Sequence, residues 1–99
     1  MLIRQGDVFL KKINELPKEL KQKEDKIIAW GEVTGHKHRF ESDNVLVLVD
    51  NEGKQYVDVK QESELVHEEH KNLVIPKGLY EVIIQRELDI IEGVRQVVD

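Results

Sequence analysis

Apolar residues along this chain recur in short runs that alternate with polar residues, the period expected of β-strands with one buried face. The clearest example is VLVLVDNEGKQYVDV, in which residues 45–49 and 56–59 flank a turn containing Asn51 and Gly53. Asparagine and glycine readily adopt the positive φ angles of tight hairpin turns. The pattern therefore predicts a β-hairpin.

Three other segments carry strand signals. DVFL, residues 7–10, precedes a charged connector, 14–25. KIIAWGEV, residues 26–33, is β-branched and aromatic, and its Gly31 indicates a bulge or a close backbone approach. NLVIPKGLYEVIIQRE, residues 72–87, holds two apolar runs separated by Pro76 and Gly78, which predicts two more strands. We expect Trp30 and Tyr80 to lie in the core, and the tail, 88–99, to be either a last strand or an irregular arm.

The number and spacing of these runs predict an all-β, mainly antiparallel fold with little helix. Six to eight short strands are expected, arranged as a small barrel or a sandwich. A chain of 99 residues is short enough that one core, and hence a single domain over residues 1–99, is expected.

Composition narrows the possible functions. The chain has no cysteine, so a metal would need histidine and carboxylate ligands. Its 20 acidic and 15 basic residues give a net charge of −5, which disfavours binding to long duplex nucleic acid but permits a small anionic ligand in a local cationic pocket. No secretory signal or membrane-spanning run is recognisable, which predicts a cytoplasmic protein without a membrane partner.

All four histidines fall in two tight pairs, in TGHKHRF and VHEEHKN. In a strand, His36 and His38 would share a face, and the residues that follow each of them would point the other way. His67 and His70 are three residues apart and would share a face only if they straddle a turn. A histidine in such a setting is usually an ordinary polar residue, but the clustering favours a functional site, and facing loops would unite the pairs in one cleft.

One chemistry for this cluster is general acid and base catalysis. Histidine exchanges a proton near neutral pH, so one imidazole could deprotonate a ribose 2′-hydroxyl while another protonates the departing oxygen, with no cofactor. The predicted catalytic residues are His36, His38, His67 and His70. The predicted phosphate-binding residues are Lys37, Arg39, Lys71 and Arg86. If residues 36–39 form a regular strand, Arg39 faces away from His38, which weakens that assignment.

The alternative chemistry is metal binding. HKH followed by Glu41 resembles the first metal-binding motif of the cupins, although the second pair precedes PKG and the spacing between pairs is short for that fold. This resemblance implies a divalent metal such as Zn, Mn, Fe or Ni. The implied ligands are His36, His38, Glu41, His67 and His70. A third hypothesis is a non-catalytic interaction module in which the histidines are dispensable.

RQGD at the start and IIQRE near the end are most simply strand ends with an ion pair, formed by Arg4 with Asp7 and by Arg86 with Glu87. Arg86 has the planar fork that suits phosphate, which is why it stays a binding candidate.

Taken together, RQGDV, GEVTGHKHR, VHEEH and PKGLYEVIIQRE resemble a family of small uncharacterised bacterial and phage proteins over most of the chain. The chain is also similar, in size, all-β pattern and histidine with arginine, to the ring nucleases of type III CRISPR antiviral defence. That similarity implies a homodimer that cleaves a cyclic oligoadenylate across its two-fold axis without a metal. The favoured hypothesis from sequence is thus a metal-independent phosphodiesterase or ribonuclease acting on a small RNA or cyclic oligonucleotide.

Overall fold

The computed structural model describes residues 1–31 and 34–85. The described residues contain ten strands in chain order: β1 Leu2–Gln5, β2 Val8–Ile13, β3 Lys21–Gln22, β4 Ile27–Trp30, β5 Lys37–Phe40, β6 Val45–Val49, β7 Gln55–Val59, β8 Ser63–Val66, β9 Leu73–Ile75 and β10 Gly78–Ile84. The expectations for the tail at 88–99, for Arg86 with Glu87 and for Val33 lie outside the described residues.

The strands form two antiparallel sheets. One has six strands in the order β1-β2-β10-β7-β6-β3, and the other has four in the order β4-β5-β8-β9. The all-β prediction is confirmed, and of the two expected architectures the sandwich is correct, because two separate sheets face each other instead of closing into a barrel. The expected six to eight strands were too few. β1 precedes the first predicted run, and the two-residue β3 lies within the charged connector.

The described residues form one hydrophobic cluster between the sheets, and strands of both sheets contribute to it. Alternation along the strands produces it: in β6, Val45 and Val47 are buried while Leu46 is only half-buried. Burying a side chain of this size contributes roughly 1.5–3 kcal/mol. Tyr80 is fully buried, as expected, and its hydroxyl donates a hydrogen bond of 2.7 Å to the carbonyl of Pro76.

The predicted hairpin is confirmed. β6 pairs with β7 from Val45 opposite Val59 to Val49 opposite Gln55. In the turn, Gly53 has a φ of +88°. The two strands predicted around Pro76 are also present, but they do not pair: β9 belongs to the smaller sheet and β10 to the larger one, so this turn crosses between the sheets.

Trp30 is not in the core; 63% of its surface is exposed. The pairing of β4 with β5 shifts register between Ile27 and Ala29, so that Ile28 and Ala29 are both buried and Trp30 points outward. The irregularity suggested by the nearby glycine therefore exists, and it reverses the expected side-chain direction. Among the described residues, no helix is long and apolar enough to cross a membrane.

Candidate functional site

The four histidines meet in one cleft of about 310 Å³ at an end of the sandwich. The ring centroids of His38 and His67 are 4.3 Å apart, those of His67 and His70 are 4.6 Å apart, and those of His36 and His67 are 5.8 Å apart. The cleft is lined by Gly6, Asp7, Gly31, His36, His38, His67, Glu69 and His70. The two sequence pairs thus converge, as the facing-loop interpretation required.

Both sheets build this cleft. The turn between β1 and β2 supplies one wall from the larger sheet. β5 and the bend after β8 supply the others from the smaller sheet. In β5 the alternation is as predicted: His38 is 1% exposed, whereas Lys37 and Arg39 point to the other side. His67 precedes a bend and His70 ends it, so they straddle Glu68 and Glu69 as predicted, and His67 is buried too.

Two glycines allow the imidazoles to approach the backbone closely. Gly6 begins the two-residue turn of the β1–β2 hairpin with a φ of +60°, and a Cβ there would lie 2.6 Å from Nε2 of His70. A Cβ on Gly31 would lie 3.1 Å from Nε2 of His67. The close approach expected at Gly31 is therefore observed, and a larger residue at either position would displace a histidine ring.

Gln5, which the sequence interpretation missed, fixes the protonation of His38. Its Nε2 donates to the carbonyls of Leu65 and Lys71, at 3.0 and 2.9 Å, so its Oε1 is the atom that faces Nδ1 of His38 at 2.8 Å. Because an amide oxygen only accepts, His38 must carry its proton on Nδ1. Its Nε2 then presents a lone pair to the cleft.

That lone pair faces a carboxylate. Oδ1 of Asp7 lies 3.4 Å from Nε2 of His38. Burial, followed by the neighbouring His67, lowers the pKa of His38 to about 4, so the ring is neutral at pH 7. In the neutral ring two acceptor atoms, Nε2 of His38 and Oδ1 of Asp7, face each other, an arrangement that a cation would stabilise.

His67 has the opposite tautomer. The backbone amide of Glu69 donates to its Nδ1 at 3.0 Å, so the proton of the neutral ring is on Nε2. Burial and the neighbouring His70 lower the pKa of His67. At the edge of the cleft, Nδ1 of His36 is buried and has no hydrogen-bond partner, although the Glu69 carboxylate lies 3.4 Å away.

Of the predicted metal ligands, three come close enough to act together. One ring nitrogen each of His38, His67 and His70 lies within 4.8 Å of the others. His36 lines the cleft but is not in this group. Glu41 lies outside the cleft and accepts a hydrogen bond of 3.3 Å from Arg39.

The three predicted phosphate-binding cations within the described residues do not line the cleft. Arg39 pairs with Glu68 at 3.0 Å, and Nζ of Lys37 lies 5.5 Å from the centroid of the Trp30 ring. Lys71 is exposed and is not among the lining residues. Hydrogen bonding to the backbone amide of Lys37, with Arg39 as a further cause, lowers the pKa of Glu68 to about 2. Arg86 lies outside the described residues.

Asp7 takes a different role from the one expected. Arg4 does not pair with it; the guanidinium donates to the carbonyl of Gly6 at 2.7 Å and to the side chain of Gln85 at 3.1 Å. These hydrogen bonds hold the turn in place and leave the Asp7 carboxylate beside His38. The signal in the sequence was the turn itself, because a short hairpin loop projects its polar residue from the end of a sheet.

The fold and site define a two-sheet β-sandwich with a cleft of histidine and carboxylate side chains. A family model described as "Domain of unknown function (DUF8820)" matches residues 4–85, and the chain belongs to this family. No curated protein and no solved structure matches the chain. The family description names no activity, so the similarities to ring nucleases and to cupins stay predictions.

Proposed function

We propose that this protein binds a divalent transition-metal ion in the histidine cleft, through His38, His67 and His70 with Asp7 as a carboxylate ligand. The observation that carries the proposal is the 3.4 Å approach of two acceptor atoms, Nε2 of His38 and Oδ1 of Asp7. With bonds of about 2.0–2.2 Å, two ligands of one tetrahedral zinc ion are about 3.3–3.4 Å apart. This pair thus already has the spacing of neighbouring ligands.

The three histidine ligands must move closer together. Their ring nitrogens, now within 4.8 Å of one another, must contract to about 3.3 Å. His67 must also move its proton to Nδ1 and release the Glu69 amide. A hydrogen bond of this kind contributes about 1 kcal/mol, whereas a structural zinc site contributes about 10–16 kcal/mol. The free energy of zinc binding would therefore outweigh the loss of this hydrogen bond.

Charge and ligand type favour the same class of ion. Asp7 and Glu69 line the cleft, and Arg39, Lys37 and Lys71 do not. Neutral imidazoles are the ligands that Zn²⁺, Fe²⁺ and Ni²⁺ accept, whereas Mg²⁺ and Ca²⁺ prefer oxygen. The expected ligand is thus a divalent transition metal, and Zn²⁺ is the convenient probe.

The test is a titration of chelator-treated protein with Zn²⁺, Ni²⁺ and Mn²⁺, followed by calorimetry and thermal unfolding. At a free zinc concentration 100 times Kd, binding stabilises the fold by about 2.7 kcal/mol. For a chain of this size that raises Tm by roughly 10–20 °C. One ion per chain is expected.

His38→Ala, His70→Ala and Asp7→Asn should each weaken zinc binding at least tenfold. His36→Ala and Glu41→Gln are matched controls, because they remove a histidine or a carboxylate near the site but outside the proposed ligand set. If zinc neither binds stoichiometrically nor raises Tm, or if the controls weaken binding as much as the ligand variants, the metal proposal is wrong.

A second candidate is metal-independent cleavage of a small RNA or cyclic oligonucleotide. It is supported by the opposite tautomers: His38 offers an acceptor nitrogen, and His67 offers an N–H donor. The lowered pKa of both rings and the acidic lining are unfavourable to a phosphate substrate. A homodimer acting on a cyclic oligoadenylate belongs to this candidate.

Incubation with linear RNA and cyclic oligoadenylates, with and without EDTA, separates the candidates. Cleavage that persists in EDTA and is lost in His38→Ala would support the acid and base mechanism. Binding of metal without any cleavage would leave the first proposal alone.

A further inference from the structure

We propose that Gln5 is a positioning residue of the metal site: its amide oxygen holds the proton of His38 on Nδ1 and so directs the Nε2 lone pair toward the metal. This inference rests on the proposed function. Among the proposed ligands, His38 is the one whose side chain forms a hydrogen bond with Gln5.

The geometry leaves Gln5 one orientation. The side chain is 3% exposed, and both hydrogens of its Nε2 are used by backbone carbonyls, those of Leu65 in β8 and Lys71 after the bend. Rotating the amide by 180° would place its oxygen against two carbonyl oxygens. The orientation is therefore fixed by three hydrogen bonds, and only the third involves a histidine.

This arrangement is the amide counterpart of a familiar feature of metal sites. A ligating histidine usually donates its second ring N–H to a carboxylate or carbonyl, which fixes the tautomer and the ring plane, and losing that partner typically weakens metal binding 10–100-fold. Gln5 supplies such a partner to His38. Because Gln5 also bonds to the chain on both sides of the bend, it sets the ring relative to His67 and His70.

The test separates positioning from mere structural support. Gln5→Leu removes the acceptor and both donors. Gln5→Glu keeps an oxygen acceptor for His38 but cannot make both bonds to the carbonyls. We expect both variants to lower Tm, whereas zinc affinity, measured well below Tm, falls 10–100-fold in Gln5→Leu and stays within about threefold of the parent in Gln5→Glu.

The matched control is Gln55→Leu. Gln55 likewise links two chain segments, donating to the carbonyl of Ile28 at 2.7 Å and accepting from Lys23 at 2.8 Å, but its hydrogen bonds involve no histidine. It should lower Tm and leave zinc affinity unchanged. Equal zinc affinity of folded Gln5→Leu and the parent would overturn the proposal, as would equal weakening in Gln5→Glu and Gln5→Leu.

A measurement without metal keeps this inference distinct from the proposed function. Nitrogen-15 NMR of the metal-free parent should show His38 protonated on Nδ1, and Gln5→Leu should lose that preference. If zinc fails to bind but the Nδ1 tautomer is present, the metal site is wrong and the control of the tautomer by Gln5 stands. If the parent carries the proton on Nε2, the positioning role is wrong whatever the zinc result.

Discussion

Acidification should destabilise the metal-free protein through His38 at a pH where carboxylates are still ionised. The folded pKa of this ring is about 4, lowered from 6.5 chiefly by burial. Between these values the unfolded chain binds a proton that the folded chain does not. The free energy of unfolding therefore falls as pH decreases from about 6.5, and the loss is complete below the folded pKa.

The size of the effect follows from the same two values. Each pH unit in this interval costs about 1.4 kcal/mol, so the contribution of His38 between pH 7 and pH 4.5 is about 2 kcal/mol. Glu68, whose pKa is lowered to about 2, contributes stability that is present above its ordinary pKa of 4.5 and is lost as pH falls toward 2. Staying above pH 4.5 therefore keeps the two effects apart.

The assay is urea unfolding followed by far-ultraviolet circular dichroism in EDTA, at intervals from pH 7 to pH 4.5. His38→Asn is the informative variant, because its amide can still donate to Gln5 but cannot titrate. It should lose about 2 kcal/mol less than the parent over this interval. If both proteins lose stability equally, His38 does not carry a strongly lowered pKa, and the argument that burial lowers it is refuted.

Three further predictions concern the turn, the core and the outer face. Gly6→Ala should cost at least about 1–2 kcal/mol in urea unfolding, from the positive φ, and should weaken zinc binding because its Cβ meets His70; a variant with parental affinity would contradict this close approach. Tyr80→Phe should cost about 1 kcal/mol through loss of the bond to Pro76, and unchanged unfolding would show that the bond contributes nothing. Arg39→Ala should cost about 1 kcal/mol, because its ion pairs with Glu41 and Glu68 are only partly buried, and calorimetry should find zinc affinity unchanged; a large loss of zinc or nucleotide binding would return Arg39 to the site.

The sequence predicted much of the fold because alternation and turn residues are local signals. The segment from Val45 to Val59 predicted both strands of the hairpin and the turn between them without information from other parts of the chain. β1 was missed because its partner is needed to recognise four residues as a strand. Trp30 was wrongly predicted to lie in the core because a one-residue register shift reverses side-chain direction. The position of such a shift cannot be read from composition.

The candidate site was likewise only partly predictable from the sequence. The opposite directions of His38 and Arg39 and the bend after His67 followed from strand geometry. That the pairs meet depends on how the two sheets face each other, which no local pattern specifies. Gln5 was missed because a buried glutamine before a turn looks like any polar residue until its three partners are known.

The turn between β1 and β2 also limits how the chain can change in length. Loops are ordinarily the places where proteins accept insertions. Here three consecutive residues act on the histidines. Gln5 forms a hydrogen bond with His38, Gly6 lies against His70, and the Asp7 carboxylate faces His38. One added residue would shift the pairing of β1 with β2 by one position. Side chains on the buried face of a strand would then point outward. We therefore expect this hairpin to keep its two-residue loop even where the connector at 14–25 grows or shrinks.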